Sequence, residues 1–216
     1  MSRKRFPANT AVLDALAAPS APPASPPPLA EKDFGRIKGQ EAAKRAVTIA
    51  LAGRHFILLI GPSGNGKTML VEAAKAIDPQ FQAKEVTIWN KLLDGDPKQR
   101  QKHFEPLCRL RADMHVEVPW LPFREWSRPC RGTDTATVRK TVDRARAFAP
   151  SHQDFALGEG CLLLAKQAYE ELGMTPRALD AAIRVARTIA NMEESEDIQE
   201  QHLAEAVQYR LLDRRF

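Results

Sequence analysis

The sequence feature that most constrains the fold is a glycine-rich segment between an apolar run and a helical pattern. Residues 61–68 read Gly-Pro-Ser-Gly-Asn-Gly-Lys-Thr and match G-x-x-x-x-G-K-[ST] at every fixed position. The apolar run at 55–60 is typical of a strand that is buried on both faces. Residues 69–77 consist mainly of good helix formers. Strand, loop and helix in this order are the context in which the pattern forms a phosphate-binding loop.

The residue types of this loop suit the binding of a nucleotide and its metal ion. Glycines let successive backbone N–H groups turn inward toward an anion, and the helix that begins near Gly66 adds the positive end of its dipole. We expect Lys67 to reach the β- and γ-phosphates and the Thr68 hydroxyl to coordinate Mg²⁺. An incidental glycine turn is the alternative that the strand-loop-helix context disfavours. The predicted binding residues are Gly61, Pro62, Ser63, Gly64, Asn65, Gly66, Lys67, Thr68 and Met69.

The composition changes along the chain and divides it into four parts. Ala and Pro dominate residues 8–30, which predicts a disordered or polyproline-like leader, with a docking segment for a partner domain as the alternative. The strand-loop-helix unit predicts an α/β fold with a truncated P-loop NTPase core, followed by a C-terminal helical bundle. The predicted parts are a leader at 1–32, a partial core at 33–122, a linker at 123–134 and a helical lid domain at 135–216.

The spacing of apolar residues places individual helices and strands. It predicts a helix over 40–53, and alternation predicts a strand over 114–118 with one side better buried than the other. Four later helices are predicted at 135–149, 159–172, 176–192 and 199–210. A threonine before a proline at 175–176 is a typical helix start, and Asp197 with Glu200 resembles a capping box.

Charge and cysteine usage narrow the class of protein only slightly. The formal charge of +5 and the pI near 9.2 favour an anionic partner, although excess Lys and Arg is often only a solvated surface. The three cysteines form no CxxC pair and the five histidines are scattered, so neither a disulfide framework nor a metal cage is predicted. We expect no membrane span and no secretory signal, and therefore a cytoplasmic location.

Two blocks of the sequence resemble the Mg-chelatase-like AAA+ ATPases of the ComM type. The first block includes the segment DFGRIKGQ and the whole glycine-rich loop, and the second includes RVARTIA. The resemblance implies an AAA+ core with a C-terminal helical lid, ATP and Mg²⁺ as cofactors, and ring-shaped homo-oligomers that act on DNA or on protein partners. The resembling residues are 33–40, 53–70, 115–119, 122–123, 136–139, 184–190 and 205–210.

The same resemblance implies roles for residues outside the loop. Ile37, Gly39 and Gln40 would lie near the adenine, and Arg177 would be the lid arginine that senses the γ-phosphate. Arg111 falls where the family has an arginine that reaches the nucleotide of a neighbouring subunit, although the sequence around it departs from the family pattern. With Lys67, these two arginines are the candidate charge stabilisers. From the residues alone, Arg177 is an arginine in the first turn of a helix, where the dipole slightly disfavours a cation and an anion nearby is therefore suggested.

The main departure from the family lies between Ile77 and Met114. The family has an apolar strand there that ends in Asp-Glu, and no carboxylate in this window follows four apolar residues, Glu85 included. The window can hold one strand-crossover-strand unit of about 30 residues and not three. The strand before the loop is therefore expected to have few partners in its sheet.

Three functional hypotheses follow from this departure. The first is a shortened ATP-binding protein that binds MgATP through residues 61–68 and hydrolyses it weakly or not at all, because nothing evident positions the attacking water. The second is an active ATPase motor subunit whose acidic residues come from the unassigned window or from a partner chain. The third is a non-catalytic interaction module that uses the C-terminal helices.

Overall fold

The computed structural model describes residues 32–87, 111–127, 132–149 and 155–213. The predicted leader, apart from its last residue, lies outside this range, and so do residues 98–110, whose sequence pattern is weakly helical. The described chain is a mixed α/β fold with a small parallel sheet and seven α-helices. In chain order the elements are α1 (Glu41–Gly53), β1 (Ile57–Gly61), α2 (Lys67–Ile77), β2 (Ala83–Thr87), β3 (Met114–Glu117), α3 (Phe123–Trp126), α4 (Thr135–Phe148), α5 (Glu159–Glu170), α6 (Pro176–Met192) and α7 (Glu200–Gln208).

The sheet has three parallel strands in the order β2-β1-β3. Ile57 of β1 pairs with Ala83 on one side and with Met114 on the other. All five residues of β1 are buried, as the continuous apolar run predicts. Within the described residues, β1 therefore has one strand on each side, in agreement with the small sheet expected from the sequence.

The two helices beside β1 each begin directly after a residue with left-handed backbone, and α1 is also followed by one. Gln40 precedes α1 with a φ of 58°, and Arg54 follows it with a φ of 54°. The Arg54 N–H donates to the carbonyl oxygens of Ala50 and Leu51, which satisfies two groups at the helix end. Helix α2 begins at Lys67, directly after Gly66, which agrees with the start expected near Gly66. The loop and the helix are therefore continuous.

The later helices agree closely with the sequence pattern, and α6 has the predicted bounds. The Thr175 hydroxyl oxygen accepts from the Ala178 N–H and caps α6. The predicted capping box of Asp197 and Glu200 is wrong. Gln199 is the N-cap of α7, and His202 Nδ1 accepts the Gln199 N–H at 3.1 Å, because the reciprocal bonds of a capping box join the N-cap residue to the third residue of the helix.

One cluster of buried apolar residues extends from the sheet to the last helix. It includes Leu59 of β1, Val47 of α1, Val142 of α4, Ala182 of α6 and Leu203 of α7. Helix α1 contacts both α4 and α6, so it lies between the sheet and the C-terminal helices. Burial of this cluster is the main favourable contribution to the stability of the described part of the chain.

The predicted linker contains the short helix α3, whose four residues are not buried. Its Phe123 and Trp126 rings stack with centroids 5.6 Å apart. Lys38 donates a hydrogen bond to the Trp126 carbonyl at 2.6 Å and lies 4.6 Å from the centre of the Trp126 ring. These contacts hold α3 against the segment that leads into α1. Among the described helices, none has both the length and the apolar character that crossing a bilayer requires.

Candidate nucleotide site

The loop between β1 and α2 has the backbone form that its glycines permit. Gly64 has a φ of 82° and Gly66 a φ of 91°, both in the left-handed region. A Cβ atom at Gly64 would meet no atom within 4 Å, so this position faces open space. At Gly66 the nearest atom to such a Cβ is Ile37 Cγ2 at 3.6 Å. The loop is therefore an open cradle whose rim is formed by Ile37.

Lys67 is the buried cation of the loop. Its side chain is buried, and Nζ donates to the carbonyl oxygens of Gly61 at 2.9 Å and Pro62 at 2.6 Å. Burial lowers the pKa of the Lys67 ammonium from its usual value, and the negative charge of Glu85 opposes that shift. Within the described residues Lys67 forms no close ion pair, so the hydrogen-bond partners of the ammonium are neutral carbonyl dipoles.

Thr68 contacts a carboxylate that sequence reasoning did not assign. Its Oγ1 donates to Glu85 Oε2 at 2.7 Å. Glu85 lies on β2 in register with Leu59 of β1. The sequence of residues 85–89 is strand-like, but it did not indicate a site residue, because no run of four apolar residues precedes Glu85.

A buried polar atom without a partner lies in the loop. Asn65 Nδ2 is shielded from solvent and makes no hydrogen bond to the described protein atoms. Such a donor is costly unless it finds an acceptor, and phosphate oxygens are acceptors. The unpaired Asn65 donor and the open space at Gly64 fit a nucleotide phosphate. The Thr68 hydroxyl beside the Glu85 carboxylate fits the Mg²⁺ that accompanies it.

A cavity of about 710 Å³ opens beside the loop. Of the three residues expected near the adenine, Ile37 lines this cavity. Gln40 instead uses its Nε2 to donate to the Pro119 carbonyl at 2.8 Å, and Gly39 faces Leu121. The lining residues are Arg36, Ile37, Lys38, Gly64, Asn65, Gly66, Met69, Trp120, Leu121, Phe123 and Trp126.

Arg111 and Arg177 lie together in a different cavity, of about 580 Å³. Asp113 lines this cavity and donates its N–H to the Phe56 carbonyl, at the start of β1. The loop follows the other end of β1, and five residues of strand span about 16 Å. The structure therefore brings the two candidate arginines together and does not bring them to Lys67.

The second cavity is rich in arginine, and the cations differ in their pairing. Arg184 pairs with Asp113 at 3.0 Å. Arg210 donates to the Ala112 carbonyl at 2.6 Å, and burial lowers its pKa from the usual value. In the part of the chain that the structure describes, Arg111 and Arg177 form no ion pair within 4.0 Å. These two guanidinium groups are therefore available to an anion.

The fold and the loop define a mixed α/β chain with a P-loop-type core. The family described as magnesium chelatase, subunit ChlI, matches residues 33–118, and its C-terminal counterpart matches residues 132–210. The chain therefore belongs to the magnesium chelatase ChlI family, a family of AAA+ proteins.

Individual relatives match over shorter segments. Competence protein ComM of Haemophilus influenzae is 50% identical over 49 residues, which are 23% of this chain and 10% of that protein. The uncharacterized protein YifB of Salmonella typhimurium is 45% identical over 58 residues, which are 27% of this chain and 12% of that protein. YifB of Escherichia coli is 42% identical over 55 residues, which are 26% of this chain and 11% of that protein. The matched segment thus spans about a tenth of the length of these relatives.

Proposed function

We propose that this chain binds ATP with Mg²⁺ at residues 61–68 and hydrolyses it weakly or not at all. The observation that carries the proposal is the state of Lys67: a buried ammonium whose hydrogen-bond partners are the neutral carbonyls of Gly61 and Pro62. Burying a cation among neutral groups is costly, and an anion in the adjacent cradle offsets that cost. The left-handed glycines at 64 and 66 leave room for that anion.

The adenine occupies the cavity that continues from the loop. Its walls combine apolar Ile37 and Met69 with the large rings of Trp120 and Trp126, which are 65% and 54% exposed. Exposed indole rings beside a phosphate loop suit the flat face of a base, because stacking removes apolar surface from water on both sides. Gly39 and Gln40 support this cavity through Leu121 and Pro119 rather than through contact with the base.

Mg²⁺ is held between the nucleotide and the hydroxyl of Thr68. The ion supplies positive charge that offsets the charge of the phosphates. Thr68 presents its oxygen at the start of α2, where the helix dipole also favours anions.

Weak hydrolysis is expected from the carboxylate groups that lie near the loop. Among the described residues, Glu85 is the carboxylate bonded to the loop, and the Thr68 hydroxyl occupies one of its oxygens. A carboxylate engaged in this way is poorly placed to orient an attacking water as well, and loss of such positioning lowers the rate by orders of magnitude. The active-ATPase hypothesis requires an acid from residues 88–110 or from another chain.

The candidate partner for Arg111 and Arg177 is the nucleotide of a neighbouring copy. Both arginines line one cavity. That cavity lies at the end of the sheet where β1 begins, and the loop follows the other end of β1. In a head-to-tail ring, the surface of one subunit that carries these arginines meets the surface of the next subunit that carries the loop. The arginines then reach the next subunit's phosphates. Family membership supports a ring assembly of this kind.

Binding of a fluorescent ATP analogue and release of phosphate test the proposal. We expect tight, Mg²⁺-dependent binding by the parent protein, little turnover, and at least a hundredfold weaker binding by Lys67→Ala. Lys75→Ala is the matched control, because Lys75 is exposed on the same helix. Turnover that depends on Lys67 supports the active ATPase instead. No binding by a folded parent protein overturns the proposal and leaves the interaction module.

A further inference from the structure

Glu85 and Thr68 form a pair across the face of the sheet that α2 covers. Glu85 is in register with Leu59, which belongs to the same buried cluster as Leu70 of α2. Two residues further along, Thr87 is in register with Gly61, where the loop begins. The carboxylate thus lies on a strand beside the loop, and its Oε2 accepts from Thr68 Oγ1 at 2.7 Å.

This bond determines how the threonine oxygen is presented. A hydroxyl has one proton to donate and two lone pairs to offer. Because the proton goes to Glu85, the lone pairs of Thr68 Oγ1 are directed elsewhere and are free to coordinate a cation. Mg²⁺ commonly binds through one or two carboxylates together with phosphates and retained waters.

We propose that Glu85 is the carboxylate of the Mg²⁺ site, which orients the Thr68 hydroxyl and supplies negative charge to the ion or to its bound waters. The inference rests on the proposed function, because the site is completed by the phosphates. Glu85 thereby takes the role for which the sequence between Ile77 and Met114 has no apolar run ending in Asp-Glu. It is a site residue that the sequence pattern alone did not indicate.

The charge of Glu85 has opposite effects with and without the metal ion. In the absence of Mg²⁺, a carboxylate bonded to a loop residue repels the nucleotide phosphates. With Mg²⁺ the same charge attracts the ion and strengthens nucleotide binding. Removal of the charge is therefore expected to weaken binding in Mg²⁺ and to leave binding without Mg²⁺ unchanged or tighter, a signature that loss of a purely structural contact does not produce.

Glu117 offers a matched control on the other flanking strand. It is in register with Ile60 of β1, which belongs to the smaller buried cluster on the other face of the sheet. Glu117 is exposed, and its carboxylate forms no hydrogen bond or ion pair with the described residues. A change of Glu117 to Gln alters the net charge by the same amount as the change at Glu85.

The experiment measures the affinity of a fluorescent ATP analogue in Mg²⁺ and in EDTA, for the parent, Glu85→Gln, Glu117→Gln and Thr68→Val. For Glu85→Gln we expect binding in Mg²⁺ to weaken about tenfold, in line with supporting residues of metal sites. Binding in EDTA should be equal or tighter. Glu117→Gln should match the parent. Nucleotide binding by Thr68→Val should also lose its dependence on Mg²⁺. The double variant of Glu85→Gln and Thr68→Val should lose little more affinity than either single variant, because the two groups act together.

The outcomes separate this inference from the function on which it rests. If the parent binds MgATP and Glu85→Gln keeps the same ratio of affinities in Mg²⁺ and EDTA, the role of Glu85 is wrong and nucleotide binding stands. Equal losses in Mg²⁺ and EDTA indicate a structural role and also overturn it. If a folded parent binds nucleotide under neither condition, the proposed function fails and the inference fails with it.

Discussion

The guanidinium of Arg146 lies 2.7 Å from the carboxylate of Asp78, across 68 residues of sequence. Asp78 is the residue that follows α2, and the same guanidinium donates to the Leu51 carbonyl near the end of α1 at 2.6 Å. The hydrogen bond from Arg146 is the main reason that the pKa of Asp78 is lowered from its usual value. One side chain of α4 thus joins both helices that flank the strand before the nucleotide loop.

Replacement of Arg146 by Gln should lower the free energy of unfolding by about 1–2 kcal/mol. Charged hydrogen bonds contribute about 1.5–3 kcal/mol, but the buried Arg146 Nε has no partner within the described part of the chain, and its removal offsets part of the loss. Urea unfolding monitored by circular dichroism measures the change. Arg144→Gln on the same helix is the control, because Arg144 pairs with Glu194 where both side chains are more than half exposed. An equal effect of the two substitutions would contradict the assigned role of Arg146.

Stability should depend on pH through His115. Burial, assisted by the charge of Arg210, lowers the pKa of His115 from 6.5 to about 3. The unfolded chain therefore binds a proton between these values that the folded chain does not. This contribution is complete above pH 6.5 and is lost as pH falls toward 3, with a slope of about 1 kcal/mol per pH unit.

The measurement for His115 is a series of urea unfolding curves between pH 5 and pH 7. His115→Gln should show a shallower rise of stability with pH than the parent, while His55, whose pKa burial lowers to about 4, contributes to both proteins alike. Parallel curves for the two proteins would refute the buried, neutral state of His115.

Sequence patterns predicted the elements whose boundaries depend on local chemistry. Thr175 and Pro176 determine the start of α6, and continuous apolar residues specify β1, so both agree with the structure. The fully buried strand and the glycines 64 and 66 likewise allowed the loop to be recognised from sequence. These features depend on residues close together in the chain.

Contacts between distant parts of the chain could not be predicted in this way. Glu85 reaches Thr68 only because β2 pairs with β1, and the strand-like pattern at residues 85–89 does not indicate which strand it pairs with. The resemblance implied that Arg177 senses the γ-phosphate, and the sequence did not indicate that Arg177 shares a cavity with Arg111. The packing of α6 on α1 decides which end of the sheet the start of α6 approaches. The sequence pattern within α6 does not contain that information.

Gly64→Ala should affect nucleotide binding more than stability. A Cβ at this position meets no protein atom, so the expected stability cost is the strain of a left-handed alanine, about 1 kcal/mol. The same methyl group occupies the open space assigned to phosphate, and nucleotide affinity should fall about tenfold or more. Gly158→Ala is the control, because a Cβ there also meets nothing while φ is −65°. Unchanged affinity for Gly64→Ala would show that phosphate does not enter the cradle.

Trp126→Ala should weaken binding of the fluorescent ATP analogue by about fivefold or more. Loss of base stacking on an aromatic ring costs about 1–3 kcal/mol, and the Lys38 ammonium also loses the ring over which it lies. Tyr169→Ala on α5 is the control, since its ring has a similar exposure of 51% and lies outside the nucleotide cavity. Equal affinities for Trp126→Ala and the parent would place the base elsewhere.

Arg177→Ala should weaken nucleotide binding only where the protein self-associates. If Arg111 and Arg177 serve the nucleotide of a neighbouring copy, the parent binds more tightly as protein concentration rises, because assembly adds two cations to each site. Arg177→Ala should lack this gain, yet equal the parent at concentrations where sedimentation shows monomers. Lys166→Ala, which removes an exposed cation from α5, should keep the gain. Weaker nucleotide binding by monomeric Arg177→Ala would instead indicate that Arg177 contacts the nucleotide of its own chain. That contact requires α6 to move from the end of the sheet where β1 begins toward the end where the loop lies.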